Sequence, residues 1–482
     1  MERREDGSYV GAITDENVRA IFREAGDFNR RILQVGGHTL YLYAIDGLTS
    51  GGDISDYVVK PLLQDTHGKT MEELFSCALH AAVYNAVAQE CKDLNDLSLK
   101  LVNGFAVVIF GERALAFEAK TPEKRSPSAP EVENTVKGPK DAFTETVRTN
   151  TSLLRRHLRS PALRLYETQV GRRSLTNVTV AYVEGLTDPG LVERMKERLS
   201  KIDIDGLVSP SSVEEYVTGS RPTAFPLLQY TERTDRFAQG LLDGRVGLLV
   251  DGLPLGYLAP VDLGYFMSSP EDRGVDFLSA SFLRILRYAA LLISLFLPAL
   301  YVAMAAFHPQ MLPTPLLHSI IESKQSVPFP TIFEVLGLLC AFELLQEASI
   351  ALPSSIGQSL SIIGGLVVGS AAVEAKIISP VALIIVAVAG ICGFAMPGRS
   401  FAAALRLWRL LLAVLASLGG LFGLTLGALC LLIHLAGLDS LGVSYLAPFS
   451  RVKGASALIR SRLIKQVYRD PELHPLDERN QK

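Results

Sequence analysis

Polar and apolar positions are spread so unevenly along this chain that it divides into two halves before any motif is considered. From Met1 to about Arg287 charged residues are dense; between Tyr288 and Gly437 they are scarce and apolar runs dominate. A helix that crosses a bilayer needs about 20 mostly apolar residues. Four stretches meet that need and predict spans at Tyr288–Phe307, Ile356–Val373, Ile377–Met396 and Leu410–Ala436. Pro298 inside the first removes a backbone donor, which predicts a kink packed against protein. A fifth stretch, Thr331–Pro353, is apolar but carries Glu334, Glu343 and Glu347. Carboxylates at that depth face a partner or a wet cavity, so it reads either as a further span or as an interfacial helix. Arg284 and Arg287 before the first span, and Arg451, Lys453, Arg460, Arg462, Lys465 and Arg469 after the last, place both ends on the cytoplasmic side. Four spans satisfy that; Arg399, Arg406 and Arg409 would favour five.

The first half repeats itself. "YAIDGLTSGG" from Tyr43 and "YVEGLTDPGL" from Tyr182 each end an apolar run in an acidic residue followed by Gly-Leu-Thr, with Gly47 and Gly185 138 positions apart. Two strand–turn–strand patterns, Gly104–Lys120 and Gly244–Pro260, follow at nearly the same offset and read as hairpins. Preserved order and spacing predict an internal duplication. The fold class expected is therefore α+β followed by α-helical membrane: a duplicated cytoplasmic α/β domain, then a multi-span helical domain. The divisions are residues 1–125 and 165–283 for the two subdomains, 126–164 for a linker and basic helix, 284–448 for the membrane domain and 449–482 for a basic tail. Each Gly-Leu-Thr leads from a strand into a helix, which suits either a structural turn or an anion site at the helix start. Neither GxGxxG nor GxxxxGK[ST] is present, which favours the turn.

Composition narrows the chemistry. A net charge of −3 over 482 residues gives no bulk attraction to nucleic acid. The five cysteines (Cys77, Cys91, Cys340, Cys392, Cys430) form no CxxC pair and read as reduced, structural residues. No GxSxG, HExxH, Walker loop or zinc ligand set occurs, so neither an enzyme, a metal nor a cofactor is expected. The N-terminal "MERREDGSYVGAITDENV" has no apolar core and does not read as a signal peptide. Between the subdomains, Thr135–Leu163 predicts a helix whose end is crowded by Arg155, Arg156 and Arg159. These complement the helix dipole, or form a contact surface for a neighbouring subunit or for anionic lipid headgroups.

Several of these stretches together resemble the spore germination receptor A-subunit family, the GerA family. They are "KGPKDAFTE" with "TNTSLLRRHLRSP", "YVEGL", "TERTD" with "LLDGRVGLLVDG", then "LPALYVAMAAFHPQMLPTPLL", "VPFPTIFEVL", "ELLQEASIALPSSIGQSLSIIGGLVVGSAAVEAKIISP" and "LGVSYLAPF". The chain departs from the family pattern at Thr234 (usually Pro), Ser349 and Ala351 (usually Gly and Arg) and Ser444 (usually Pro). The resemblance implies residence in the spore inner membrane. It also implies homo-oligomers that form a nutrient-gated channel releasing monovalent cations, and partnership with a multi-span B subunit and a lipidated C subunit.

Within that reading, the three–four spacing of Gln358, Ser361, Gly365, Val368 and Ala372 makes one small or polar seam. Such a seam serves close helix packing or faces a pore; as a pore, Gln358 and Ser361 are polar ring members and Val368 a hydrophobic gate. Glu343, Glu347 and Glu374 could favour cations by ring electrostatics, or pair with Lys376, with a neighbouring arginine or with interfacial water. The competing functional reading is a non-conducting assembly protein that couples a nutrient sensor to a separate channel releasing dipicolinic acid. A secondary transporter would show inverted repeats in the membrane half, and none is visible there.

Overall fold

The computed structural model describes residues 2–4, 8–64, 70–80, 83, 87–121, 130, 133, 135, 137–219, 222–351, 369–450 and 458–480. The chain forms two units: residues 1–220, 228–260 and 466–482 in one, and residues 221–227 and 261–465 in the other.

In the first unit the chain writes one topology twice. The first repeat runs α1 (Asp15–Ile21), β1 (Phe28–Val35), β2 (His38–Ile45), a helical run over residues 51–64, α2 (Met71–His80), β3 (Ala88–Glu90), α3 (Leu94–Val102), β4 (Phe105–Phe110) and β5 (Arg113–Glu118). The second runs α4 (Val147–His157), β6 (Leu163–Val170), β7 (Thr176–Val183), α5 (Pro189–Ser200), α6 (Val213–Thr218), β8 (Gln229–Thr231), α7 (Thr234–Leu242), β9 (Val246–Val250) and β10 (Gly256–Ala259). The sheet orders are β1-β2-β4-β5-β3 and β6-β7-β9-β10-β8, the same order with every strand advanced by five. All ladders in both sheets are antiparallel, so the α/β label expected for the subdomains gives way to α+β.

Burial explains why β4 and β9 read as unbroken apolar runs. Each is a central strand covered on both faces. Ala106, Val108 and Phe110 of β4 pack with the helical run and α2, while Val107 and Ile109 pack with α1 and α3. Leu94, Leu97 and Leu101 supply the α3 face at helical spacing.

The Gly-Leu-Thr echo is a turn. Gly47 and Gly185 sit at φ of 83° and 79°, where any other residue would be strained. Thr49 and Thr187 then tie their side chains to the backbone of the preceding strand. Each turn leads through one capping residue, Ser50 or Asp188, into a helix, and that side chain already accepts from a first-turn amide, Asp53 or Gly190. In the first repeat Ser152 of α4 lies 3.0 Å from where a Gly47 Cβ would stand.

The second unit carries α8 (Phe277–Phe307), α9 (Thr314–Lys324), α10 (Thr331–Ala351), α11 (Gly369–Glu374), α12 (Pro380–Phe394) and α13 (Arg399–Ala436). Asp276 caps α8 by accepting from Leu278 and Ser279. Arg287 forks onto Asp272 with two 2.8 Å bonds, so the charges stop where the apolar run begins. Among the described residues α8 is long and apolar enough to cross a membrane, and α13 has that length and hydropathy only when taken as one run.

One expected span is corrected. Hydropathy predicts Leu410–Ala436 as a single crossing, but α13 breaks at Gly419 (φ −133°, ψ 15°) and Gly420 (φ 58°, ψ −135°). Trp408 and His434 have ring centroids 5.5 Å apart, whereas 26 residues of straight helix would separate them by about 39 Å. Residues 399–418 and 421–436 are therefore antiparallel arms of a hairpin, and Leu412 and Leu415 reach Gly427 across it. Of the other expected spans, Ile377–Met396 contains the 15-residue α12, and Ile356–Val373 lies almost wholly outside the described residues.

Candidate functional site

Unlike a water-soluble bundle, α8 is apolar around its circumference. Ala299 and Val302 are buried in the unit, yet Leu278, Phe282 and Leu286 are more than half exposed. Leu418, Phe422 and Leu432 of α13 are likewise more than half exposed. Exposed apolar side chains in such number mark a surface for lipid or a partner.

Several charged groups of this unit are paired. Glu343 on α10 accepts from Arg409 at 2.6 Å and from Arg406 at 3.1 Å, both from the first arm of α13. Arg406 also donates to Gln346 at 2.5 Å, and Arg409, nearly fully buried, reaches the Ala389 carbonyl. One carboxylate thus faces two guanidiniums, so Glu343 presents no net negative field. Glu334, also buried, accepts from the Ser379 amide at 2.8 Å and lies 3.4 Å from Lys324, fixing the start of α12. This role was not anticipated; its signal is an acidic residue in the first turn of an apolar helix.

The remaining expected site residues fall in different places. Gln358, Ser361, Gly365 and Val368 lie outside the described residues. Ala372 is half-buried in the short α11, where its carbonyl accepts from Ile377 at 2.9 Å. Glu374 at the end of α11 is exposed, as is Glu347.

Of the three arginines expected at a subunit surface, Arg155 is corrected. It is fully buried and forks onto Asp27 at 2.5 and 2.7 Å, inside its own chain. Arg156 and Arg159 are exposed. Asp27 stands at the entrance to β1, so this pair joins the first repeat to α4. Around it, Gly26 donates to the Leu165 carbonyl at 2.8 Å and Tyr182 to Glu24 at 2.6 Å.

Two sequence motifs far apart in the chain meet in the first unit. Arg233 of TERTD is buried and donates to Asp235, to Thr135 and to the Pro139 carbonyl. Phe143 of KGPKDAFTE stands edge-on to Phe237, centroids 5.3 Å apart. Gly247 is needed beneath them, since a Cβ there would lie 2.2 Å from the Phe237 ring. Where the family pattern has Pro, Thr234 donates to the Asp141 carboxylate at 2.5 Å, and His157 Nε2 lies 2.8 Å from that carboxylate and 3.0 Å from Thr234. His157, and after it Thr234, hold the Asp141 carboxyl down at about 2. Both contacts use the same ring nitrogen, whereas relay from a nucleophile to an orienting acid needs two, so the cluster pins the motifs together. No group of three His, Cys, Asp or Glu among the described residues could hold a metal ion.

A duplicated α+β unit followed by a second unit that carries the long apolar helix α8 and the apolar hairpin α13 has the membrane-associated character of one protein family. The chain belongs to the GerA family of Bacillus/Clostridium spore germination proteins, whose family model matches residues 16–472. It is 36% identical to spore germination protein KA of Bacillus subtilis over 88% of this chain and 78% of that one. It is 33% identical to the uncharacterized membrane protein YfkQ of Bacillus subtilis (92% and 88%) and 33% identical to spore germination protein XA of Bacillus anthracis (83% and 82%). Among solved structures it is similar to the N-terminal domain of the A subunit of the Bacillus megaterium spore germinant receptor GerK3, at 26% identity and a TM-score of 0.41, covering 52% of this chain and 97% of that one.

Proposed function

We propose that this chain is the A subunit of a nutrient germinant receptor in the spore inner membrane, and that its copies surround a water path through which monovalent cations leave as germination begins. Membership of the GerA family carries the first part; the outward apolar surface of α8 and α13 supports the membrane setting. The conduit is assigned to the seam Gln358, Ser361, Gly365, Val368 and Ala372, with Val368 as the gate that dewets when closed. Glu347 and Glu374 are the carboxylates left to attract cations, because Glu343 is neutralised by Arg406 and Arg409. A multi-span B subunit that receives the nutrient and a lipidated C subunit complete the receptor.

Reconstitution into liposomes tests this. Val368→Ala should raise basal potassium efflux over the unaltered chain, because a smaller apolar ring rewets more easily. If neither the chain nor the variant, alone or with its B and C subunits plus nutrient, conducts ions, the conduction reading fails and a coupling scaffold takes its place.

A further inference from the structure

The basic tail that follows the last apolar run returns to the start of α8. Ser281, one turn into α8, accepts from the Arg460 amide at 3.1 Å and donates its own hydroxyl to the Phe277 carbonyl at 2.6 Å. The Arg460 guanidinium, 6% exposed, donates to the Asp272 and Val275 carbonyls. Arg462 lays its guanidinium over the Phe277 ring, 4.6 Å from the centroid. Arginines far apart in sequence, Arg284 and Arg287 of α8 and Arg460 of the tail, thus gather at one acidic residue, Asp272.

That carboxylate does not neutralise all three. Both of its oxygens are taken by Arg287 at 2.8 Å, and one also accepts from the Ser269 amide. Arg284 stands 3.6 Å away, with its Nε buried and without a hydrogen-bond partner. Arg460 donates only to neutral carbonyls, and among the described residues it makes no ion pair. The other carboxylates nearby are committed: Asp276 to the Leu278 and Ser279 amides that open α8, and Asp262 to the Tyr265 amide. Burial lowers the Arg460 guanidinium from its ordinary value; Asp272 offsets part of this, and Arg273 and Arg284 add to it. A buried guanidinium left uncompensated is expensive, so the cluster calls for an anion.

Its place in the fold says which anion. Arg284 lies four residues before the apolar run that begins at Tyr288, the level at which a crossing helix meets lipid headgroups. Leu278, Phe282 and Leu286, all more than half exposed, stand within about 10 Å of it along the helix axis. Acyl chains therefore find apolar surface at the same level. We propose that Arg284 and Arg460, with Arg462 at the rim, hold the phosphate of an anionic phospholipid at the start of α8. Guanidiniums fork onto phosphate oxygens as they do onto carboxylates. One headgroup thus satisfies the idle Arg284 Nε and supplies the charge that Arg460 lacks. The inference rests on the membrane setting in the proposed function and names a ligand for it.

The test uses the full chain in detergent. Native mass spectrometry counts the lipids it retains from an equal mixture of dioleoyl phosphatidylglycerol and dioleoyl phosphatidylcholine. The unaltered chain should retain phosphatidylglycerol in preference. Arg284→Gln and Arg460→Gln should each cut that preference about fivefold, the effect of one basic residue beside anionic lipid. Arg284→Gln keeps the fold, because Arg287 still pairs with Asp272. Arg284→Lys retains the charge and should retain most of the preference, and Arg159→Gln, an equal loss of charge outside the cluster, should leave it unchanged. If the unaltered chain retains both lipids equally, or the preference survives in Arg284→Gln, the site is overturned. If inorganic phosphate displaces phosphatidylglycerol from the unaltered chain, the cluster takes the free anion and the lipid assignment is overturned. A chain that fails to float with phosphatidylcholine vesicles would instead remove the membrane setting itself, and this site with it.

Discussion

Removing one member of the Asp27–Arg155 pair gives the sharpest test of how the two repeats are joined. Arg155 is 0% exposed and Asp27 1% exposed, so water screens neither group. Both carboxylate oxygens are engaged, while Arg155 Nη1 is already buried without a hydrogen-bond partner. Replacing Asp27 by Asn would leave a buried guanidinium uncompensated, which costs about 3–5 kcal/mol. At roughly 3 °C per kcal/mol for a unit of this size, unfolding should begin about 10 °C lower. The exposed Arg159 serves as control, since Arg159→Ala should change stability by less than about 0.5 kcal/mol. A double replacement, Asp27→Leu with Arg155→Met, removes both charges and should recover most of the loss, as buried pairs exchanged for apolar groups generally do. Pulse proteolysis across a urea gradient reads all four proteins on the same scale. If Asp27→Asn proves no more labile than Arg159→Ala, the pair is not what clamps α4 to the first repeat.

Three further outcomes are expected. Gly247→Val should drive a side chain into the Phe237 ring, costing about 1–3 kcal/mol as overpacking does; an unchanged urea midpoint would contradict the packing of the two motifs. Acid should loosen the Asp141–His157–Thr234 cluster in a defined window. The Asp141 carboxyl, lowered from an ordinary 3.8 to about 2, adds stability that is complete above pH 4 and lost as pH falls towards 2. Stability measured by urea midpoint should therefore decline less between pH 4 and 2 in Asp141→Asn, which starts lower, than in the unaltered chain. Gly420→Val should abolish the hairpin of α13, because φ of 58° is strained for a branched residue and its Cβ would meet Phe307 and His308 at 2.9 Å; a monodisperse, protease-resistant detergent preparation at normal yield would refute the reversal.

How much of this was legible depends on how local the cause is. The duplication was readable because each turn needs a glycine at positive φ and each central strand needs an apolar run, and both needs recur at one spacing. The boundary between charged and apolar halves was equally plain. Arg155 misled because its sequence neighbours Arg156 and Arg159 make one basic cluster, while its partner Asp27 lies 128 residues away with no local signal. The reversal at Gly419–Gly420 was hidden by averaging: both arms are apolar, so hydropathy sees one helix, although adjacent glycines are a recognised turn signal. Glu343 was legible as an expensive charge, but only the fold supplied its two arginines.

Those two arginines constrain where cation selectivity can reside. A carboxylate held by two guanidiniums contributes a local charge of +1 to its surroundings, which repels a cation. Were the face of α10 carrying Glu343 to line a conduit, it would select for anions at that depth. The cation reading therefore requires the conduit to pass elsewhere, with Glu347 and Glu374 as the available negative groups. It also gives the pair a separate duty. Glu343 lies on α10, while Arg406 and Arg409 lie on the first arm of α13, so the ion pairs tie two helices that apolar packing alone would leave free to slide. Glu343→Gln should then loosen that arm against α10, seen as faster hydrogen exchange over residues 399–418, while leaving ion selectivity in liposomes unaltered. A change of selectivity without faster exchange would place Glu343 on the ion path and undo this division of labour.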